Sequence, residues 1–274
     1  MFTVPQSLSP DPFVPGAFRV MAGETSQSWV DPAHPTRLEF EYVQRIVEGL
    51  EATVLTRPDD VRLRVVHLGG GGLSLPRYVA ARRPHTAQIV CEPDADLVEE
   101  VRRKLPLPKH SGIKVRVTEG RPGLAEMPGD YADVVILDAF DGMTVPASLV
   151  TGEFFADVAR VLRPGGLLAA NLADRIPFGW TKRVLAGIGA SLRHLHLVSE
   201  SAVLKGRRYG NLVVFASRER LPHDALARAA HGSPFPQRAL FGRDLARWIG
   251  GAQPFTDDDA VWCPAPDGGR LWFS

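Results

Sequence analysis

Only two of the 274 residues are cysteine, Cys91 and Cys263. That count excludes a disulfide-built scaffold and fits a reducing, cytoplasmic setting. No apolar run approaches the ~18 residues of a membrane span. The opening MFTVPQSLSPDPFVPG has no basic segment followed by an apolar one, so no secretory signal is expected. An excess of one charge is also missing. With 32 Lys and Arg against 31 Asp and Glu, the net charge is +1, which leaves no electrostatic footprint for nucleic acid or anionic lipid. What is present is a chain that is 45% hydrophobic, enough for one sizeable core.

Three segments are expected: an N-terminal arm and hairpin (1–35), a central α/β domain (36–220) and a helical or irregular extension (221–274). Residues 1–16 are proline-rich and read as an irregular arm. Phe18–Val30 holds two short extended runs around a Gly-containing turn, a short N-terminal β-hairpin. The spacing of Leu38, Tyr42, Ile46 and Leu50 predicts a helix starting near Pro35–Thr36. From residue 62, strand-like runs alternate with helical patterns: RLRVVHL, AQIVCE, IKVRVTEG, ADVVILDAF, LLAANLA, LHLVSES and NLVVFAS. This alternation predicts a doubly wound, mostly parallel, seven-stranded sheet of Rossmann-like type.

HLGGGGLSLP (His67–Pro76) joins the first of these strands to its helix. Glycines there let a ligand approach the backbone closely and leave helix N–H groups free, although such a turn can equally be a tight connection. Glu92, about twenty residues on at the end of the next strand, stands where an acid can accept bonds from ribose hydroxyls. Asp94 beside it reads equally well as a helix cap. The glycines lack G-x-G-x-x-G spacing and no Lys follows them, which excludes a P-loop and favours a phosphate-free nucleoside. Glu119 and Gly120 close the third strand, placed either for an adenine edge or to cap a short helix.

VVILDAFDG (Val134–Gly142) delivers two carboxylates to the end of a buried strand. Asp141 could serve only the turn before Gly142. Asp138 needs a partner when partly buried, so its structural reading is weaker. The chemical reading is specific. An alkyl group leaving a sulfonium needs a neutral nucleophile, whereas a primary amine with a pKa near ~10.4 is protonated at pH 7. One carboxylate can orient the ammonium while the other accepts its proton.

These segments resemble the spermidine synthase (polyamine aminopropyltransferase) family. VVHLGGGGLSLPRYV is similar to its strand–GGGDG–helix segment, IVCEPDADLVE to its C-E-x-D-x-x-V-I segment, and LDAFDGMTVPASLVTGEFF to its D-x-x-D-P-x-G-P-A signature. Upstream, VMAGETSQSWVDPAHPTRLEFEYV resembles its hairpin and helix, and near the end TDDDAV faintly resembles a T-D-D-x-A-P-V element. The resemblance covers about residues 17–216. It implies the class I S-adenosylmethionine-dependent transferase fold, with decarboxylated S-adenosylmethionine as donor, putrescine or a similar small amine as acceptor, and methylthioadenosine as product. No metal is implied; a homodimer is. Asp138 would be the base and Asp141 the amine-orienting acid. Glu92 would hold the ribose, Glu119 with Gly120 the adenine, and Gly69, Gly70 and Gly71 the bend beside the nucleoside, with Gln27 matching the hairpin glutamine.

Three departures keep other readings open. Gly72 stands where the family has the aspartate that grips the donor's ammonium, the P-T-Y-P element is absent, and the N-terminal β region is short. A methyltransferase using intact S-adenosylmethionine, releasing S-adenosylhomocysteine, is the alternative, as is a non-catalytic nucleoside-binding homologue. His67 reads as a packed core histidine, and His194 and His196 lack the companions of a metal site. Trp29, Trp180 and Trp248 could line a pocket but read better as core or interface.

Overall fold

A computed structural model of the protein describes residues 6–229 and 236–266. The chain opens with β1 (Gln6–Pro10), β2 (Phe18–Ala22) and β3 (Thr25–Val30), a three-stranded antiparallel sheet in that order. The expected hairpin is β2–β3. Part of the expected irregular arm is instead β1, because its backbone pairs with β2 from Gln6↔Ala22 to Pro10↔Phe18. Residues 1–5 of that arm lie outside the described residues.

Helix α1 (Glu41–Glu51) starts later than the periodicity suggests, with Phe40 as its N-cap. Val43, Ile46, Val47 and Leu50 recur at helical spacing and are buried. The alternation then runs β4 (Arg64–Leu68), α2 (Ser74–Arg82), β5 (Ala87–Cys91), α3 (Ala95–Lys104), β6 (Ile113–Arg116), α4 (Gly120–Ala125) and β7 (Ala132–Leu137). It continues with α5 (Gly152–Val161), β8 (Leu162–Asp174), α6 (Gly179–Ser191), β9 (His194–Glu200), α7 (Ser201–Leu204) and β10 (Gly210–Ser217). All six residues of β7 are buried, as expected of a strand covered on both faces.

The main sheet has the order β11-β9-β10-β8-β7-β4-β5-β6. Strands β6, β5, β4, β7 and β8 are mutually parallel, and β10, β9 and β11 add antiparallel. The seven expected strands are therefore joined by an eighth, β11 (Gln237–Phe241), from the segment expected to be helical or irregular. That segment also carries α8 (His223–Ala229) and α9 (Gly242–Ile249). Its pairing with β9 covers an edge that would otherwise stay open.

Alternate residues of the strands feed two cores. Val66, Leu68, Val135 and Leu137 pack with α5 and α6, while Val65, Val134 and Ile136 pack with α1 and α2. The N-terminal sheet is fastened by a third cluster, in which Leu8, Val20 and Val30 meet Leu97 and Val101 of α3.

Candidate active site

The chain leaves β4 toward β5 and β6, then returns to β7 on the other side of β4. Open α/β sheets place ligands at such a reversal, outside the carboxyl ends of the strands. Here the ends of β4, β5, β7 and β8 open into a cavity of about 580 Å³, roofed by β3 and the start of α1. Every residue singled out in the sequence as a site residue lines it: Gln27, Gly69, Gly70, Gly71, Glu92, Glu119, Gly120, Asp138 and Asp141.

The glycine turn is shaped by two close approaches. Gly69 has φ +97°, and a Cβ there would sit 2.1 Å from the Asp138 carbonyl oxygen, so the turn passes beside the end of β7 only as glycine. Glu92 lies beneath the next residues, 5% exposed. Its Oε2 accepts from the Gly70 N–H at 2.8 Å and the Gly71 N–H at 3.1 Å, and its Oε1 from the Asp94 N–H at 3.1 Å. Burial raises its pKa, and these three backbone bonds draw it back. Glu92 thus braces the glycine turn as well as lining the cavity. Asp94 caps α3, accepting from Leu97 N–H at 3.0 Å. Glu119 makes no such cap bond at the start of α4 and is exposed at the cavity wall.

Asp138 follows β7 and is half-buried. Its Oδ1 accepts from Asn171 Nδ2 at 2.9 Å, and the Tyr42 hydroxyl also bonds the carboxyl. Burial pushes its pKa up to about 6, against the opposing pull of those two bonds. Asp141 takes part in a turn. Its backbone closes a turn with Thr144, donating at 2.9 Å and accepting at 3.2 Å, and Gly142 follows at φ +60°. The residue nonetheless lines the same cavity as Asp138. On β3, Gln27 Nε2 and Ser26 Oγ are buried without a protein partner beside this space, as polar groups awaiting a polar ligand would be.

Gly72 behaves differently. Its N–H donates to Ser28 Oγ at 3.3 Å, and a Cβ would meet Val30 Cγ1 at 3.2 Å and Ser28 Oγ at 3.3 Å. A Cβ there would press on the N-terminal sheet.

Sequence reasoning missed Tyr42, Asn171, Tyr209, Asn211 and Trp262, all of which line the cavity. Tyr42 falls in an apolar helical stripe and reads as core. Asn171 is the one polar residue in LLAANLA, a signal that was available. Tyr209 and Trp262 come from segments without periodicity. The histidines set aside stay aside: His67 is buried against Gln88 Oε1 at 2.9 Å, and burial lowers its pKa to about 4. Trp180 is buried, its indole N–H donating to the Val261 carbonyl at 2.9 Å. Among the described residues, no group of three or more His, Cys, Asp or Glu is arranged to hold a metal ion, and no helix is long and apolar enough to cross a membrane.

A doubly wound sheet with a glycine turn at its reversal point and an acid pair one strand over defines an α/β protein with a ligand crevice at the carboxyl edge of its sheet. The comparisons narrow this. No family model matches the chain. The crystal structure of a probable spermidine synthase from Corynebacterium glutamicum superposes with a TM-score of 0.85 at 30% identity, covering 92% of both chains. The polyamine aminopropyltransferase of Vibrio vulnificus is 29% identical over 159 residues, which is 57% of this chain and 51% of that protein. Human methyltransferase-like protein 13, solved with SAH, shares the fold at a TM-score of 0.58 and 22% identity. The chain belongs to the spermidine synthase (polyamine aminopropyltransferase) family. It spans about half the length of the curated relatives it matches.

Proposed function

We propose that this protein transfers the aminopropyl group of decarboxylated S-adenosylmethionine to a small amine such as putrescine, releasing methylthioadenosine. The observation that carries the reading is Asp138: a carboxyl raised to about 6, bonded by Asn171 and opening on the cavity it shares with Asp141.

The donor supplies a sulfonium whose neighbouring carbon is open to displacement. Asp141 orients the acceptor's ammonium, and ionised Asp138 takes its proton so that the nitrogen lone pair is free. The new C–N bond forms as the C–S bond breaks, and that electron pair stays on sulfur, leaving a neutral thioether. Holding the two reactants in line supplies most of the acceleration, because such a displacement needs little covalent help. Glu92, whose oxygens keep lone pairs beyond the three backbone bonds, faces the ribose. Glu119 and the Gly120 N–H address the adenine, while Gln27 offers its unpartnered amide to the donor.

Gly72 separates this chain from the family pattern at one point, because no acid there grips the donor's ammonium. The test is therefore made on the donor. Methylthioadenosine release from decarboxylated S-adenosylmethionine with putrescine is expected, together with calorimetric preference for that donor over the intact one. Clear preference for the intact, carboxylated donor, with methyl transfer, would overturn the reading in favour of a methyltransferase.

A further inference from the structure

Behind Asp138 stands a chain of two amides. Strands β8 and β10 pair antiparallel, with Asn171 opposite Val213 and Asn211 opposite Ala173. The two asparagines are thus diagonal neighbours on one face of the ladder. Asn211 Nδ2 donates to Asn171 Oδ1 at 3.0 Å, and Asn171 Nδ2 donates to Asp138 Oδ1 at 2.9 Å. Asn171 is 1% exposed, so water is a poor substitute for either partner.

The polarity of this chain carries meaning. A primary amide donates at one end and accepts at the other, and a half-turn about χ2 exchanges them. An ionised carboxylate only accepts, so Asn171 serves it solely with the NH2 group forward. Asn211, donating to the carbonyl end, holds Asn171 that way round. Were Asn171 to turn, its carbonyl would face Asp138, and only the protonated carboxyl could bond to it.

We propose that Asn211 is a positioning residue for transfer: it locks the Asn171 amide donor-forward, which keeps Asp138 ionised and able to take the acceptor's proton. The inference rests on Asp138 being the base, as above. The other titratable groups that line the same cavity are Tyr42 from α1, Cys91 and Glu92 at the end of β5, Glu119 and Arg121 at the start of α4, Asp141 on its own loop and Tyr209 from the loop before β10. Of these, Tyr42 bonds to the Asp138 carboxyl.

The experiment titrates Asp138 directly, by carboxyl NMR of the intact chain labelled at aspartate, with the signal assigned by Asp138→Asn. The pH profile of methylthioadenosine release is recorded in parallel. Asn171→Leu and Asn211→Leu are each expected to raise the Asp138 midpoint by about one pH unit. The double variant is expected to match Asn171→Leu alone, because Asn211 acts through Asn171. An unmoved midpoint in Asn211→Leu, or shifts that add, overturns the proposal. Asn211→Ala replaces the leucine variant should the latter fail to fold, judged by near-UV circular dichroism. A midpoint that moves in a chain that transfers nothing supports the amide chain and overturns the transferase reading, so the two failures are distinct.

Discussion

Asp138 is pulled in two directions: burial favours its neutral form, and the Asn171 and Tyr42 bonds favour the charged one. Burial wins, and the carboxyl rises from 3.8 to about 6. The sign for activity follows, since only the ionised form accepts a proton. In kcat/KM for the acceptor, transfer is expected to be flat above that pH and to fall about tenfold per pH unit below it, as a rate–pH profile would show. The sign for stability is opposite. Between 3.8 and about 6 the folded chain holds more protons than the unfolded one, so stability declines as pH rises through that window. Asp138→Asn is therefore expected to melt at a higher temperature than the parent at pH 7 while losing about 100-fold or more in turnover. Calorimetric melting and product release measure the two halves. A variant that loses activity and stability together would point to a structural role.

The glycine turn threads between the end of β7, which demands glycine at Gly69, and β3, which packs over Gly72. The second contact makes the family's aspartate hard to restore. Gly72→Asp is expected to lower the melting temperature, because Val30 and Ser28 must give way, and to leave affinity for the decarboxylated donor unchanged in calorimetry. A tenfold gain in affinity would mean the new carboxylate reaches the ligand after all. Ser28 ties the same corner together, lying 3.2 Å from the Ser74 hydroxyl at the start of α2. This corner of the cavity is accordingly set by contacts of the N-terminal sheet with the glycine turn and the start of α2.

Across the whole molecule, the tail acts as a wall. Arg121, which lines the cavity, pairs with Asp257 at 2.6 Å, and Arg183 pairs with Asp259. The Cys263 N–H meets the Val145 carbonyl at 3.4 Å. Between these ties Trp262 faces the cavity, 48% exposed. Trp262→Ala is expected to raise KM for the acceptor several-fold with little change in kcat, since it removes wall area and not a reacting group. Steady-state kinetics would show it, and a matching drop in kcat would place the indole nearer the chemistry.

Much of this is legible in the sequence. The β–α alternation, the buried β7 run, the glycine turn and the acids at strand ends are local patterns, and a parallel sheet leaves them little freedom. The amides behind Asp138, the phenol of Tyr42, the tail wall and the eighth strand were not legible. Each depends on which distant segment comes to lie beside the site, and side-chain period alone does not encode that. From sequence, Asp141 stood as either turn residue or ligand-facing acid. In the folded chain its backbone closes the turn with Thr144, and the residue also lines the cavity. The sequence by itself determined the class of sheet and which acids stand at its carboxyl edge, since periodicity and strand ends are properties of neighbouring residues. Only the tertiary structure decided how strongly Asp138 holds its proton and how closely the N-terminal sheet packs over Gly72, because burial, amide polarity and steric room arise between segments far apart in the chain.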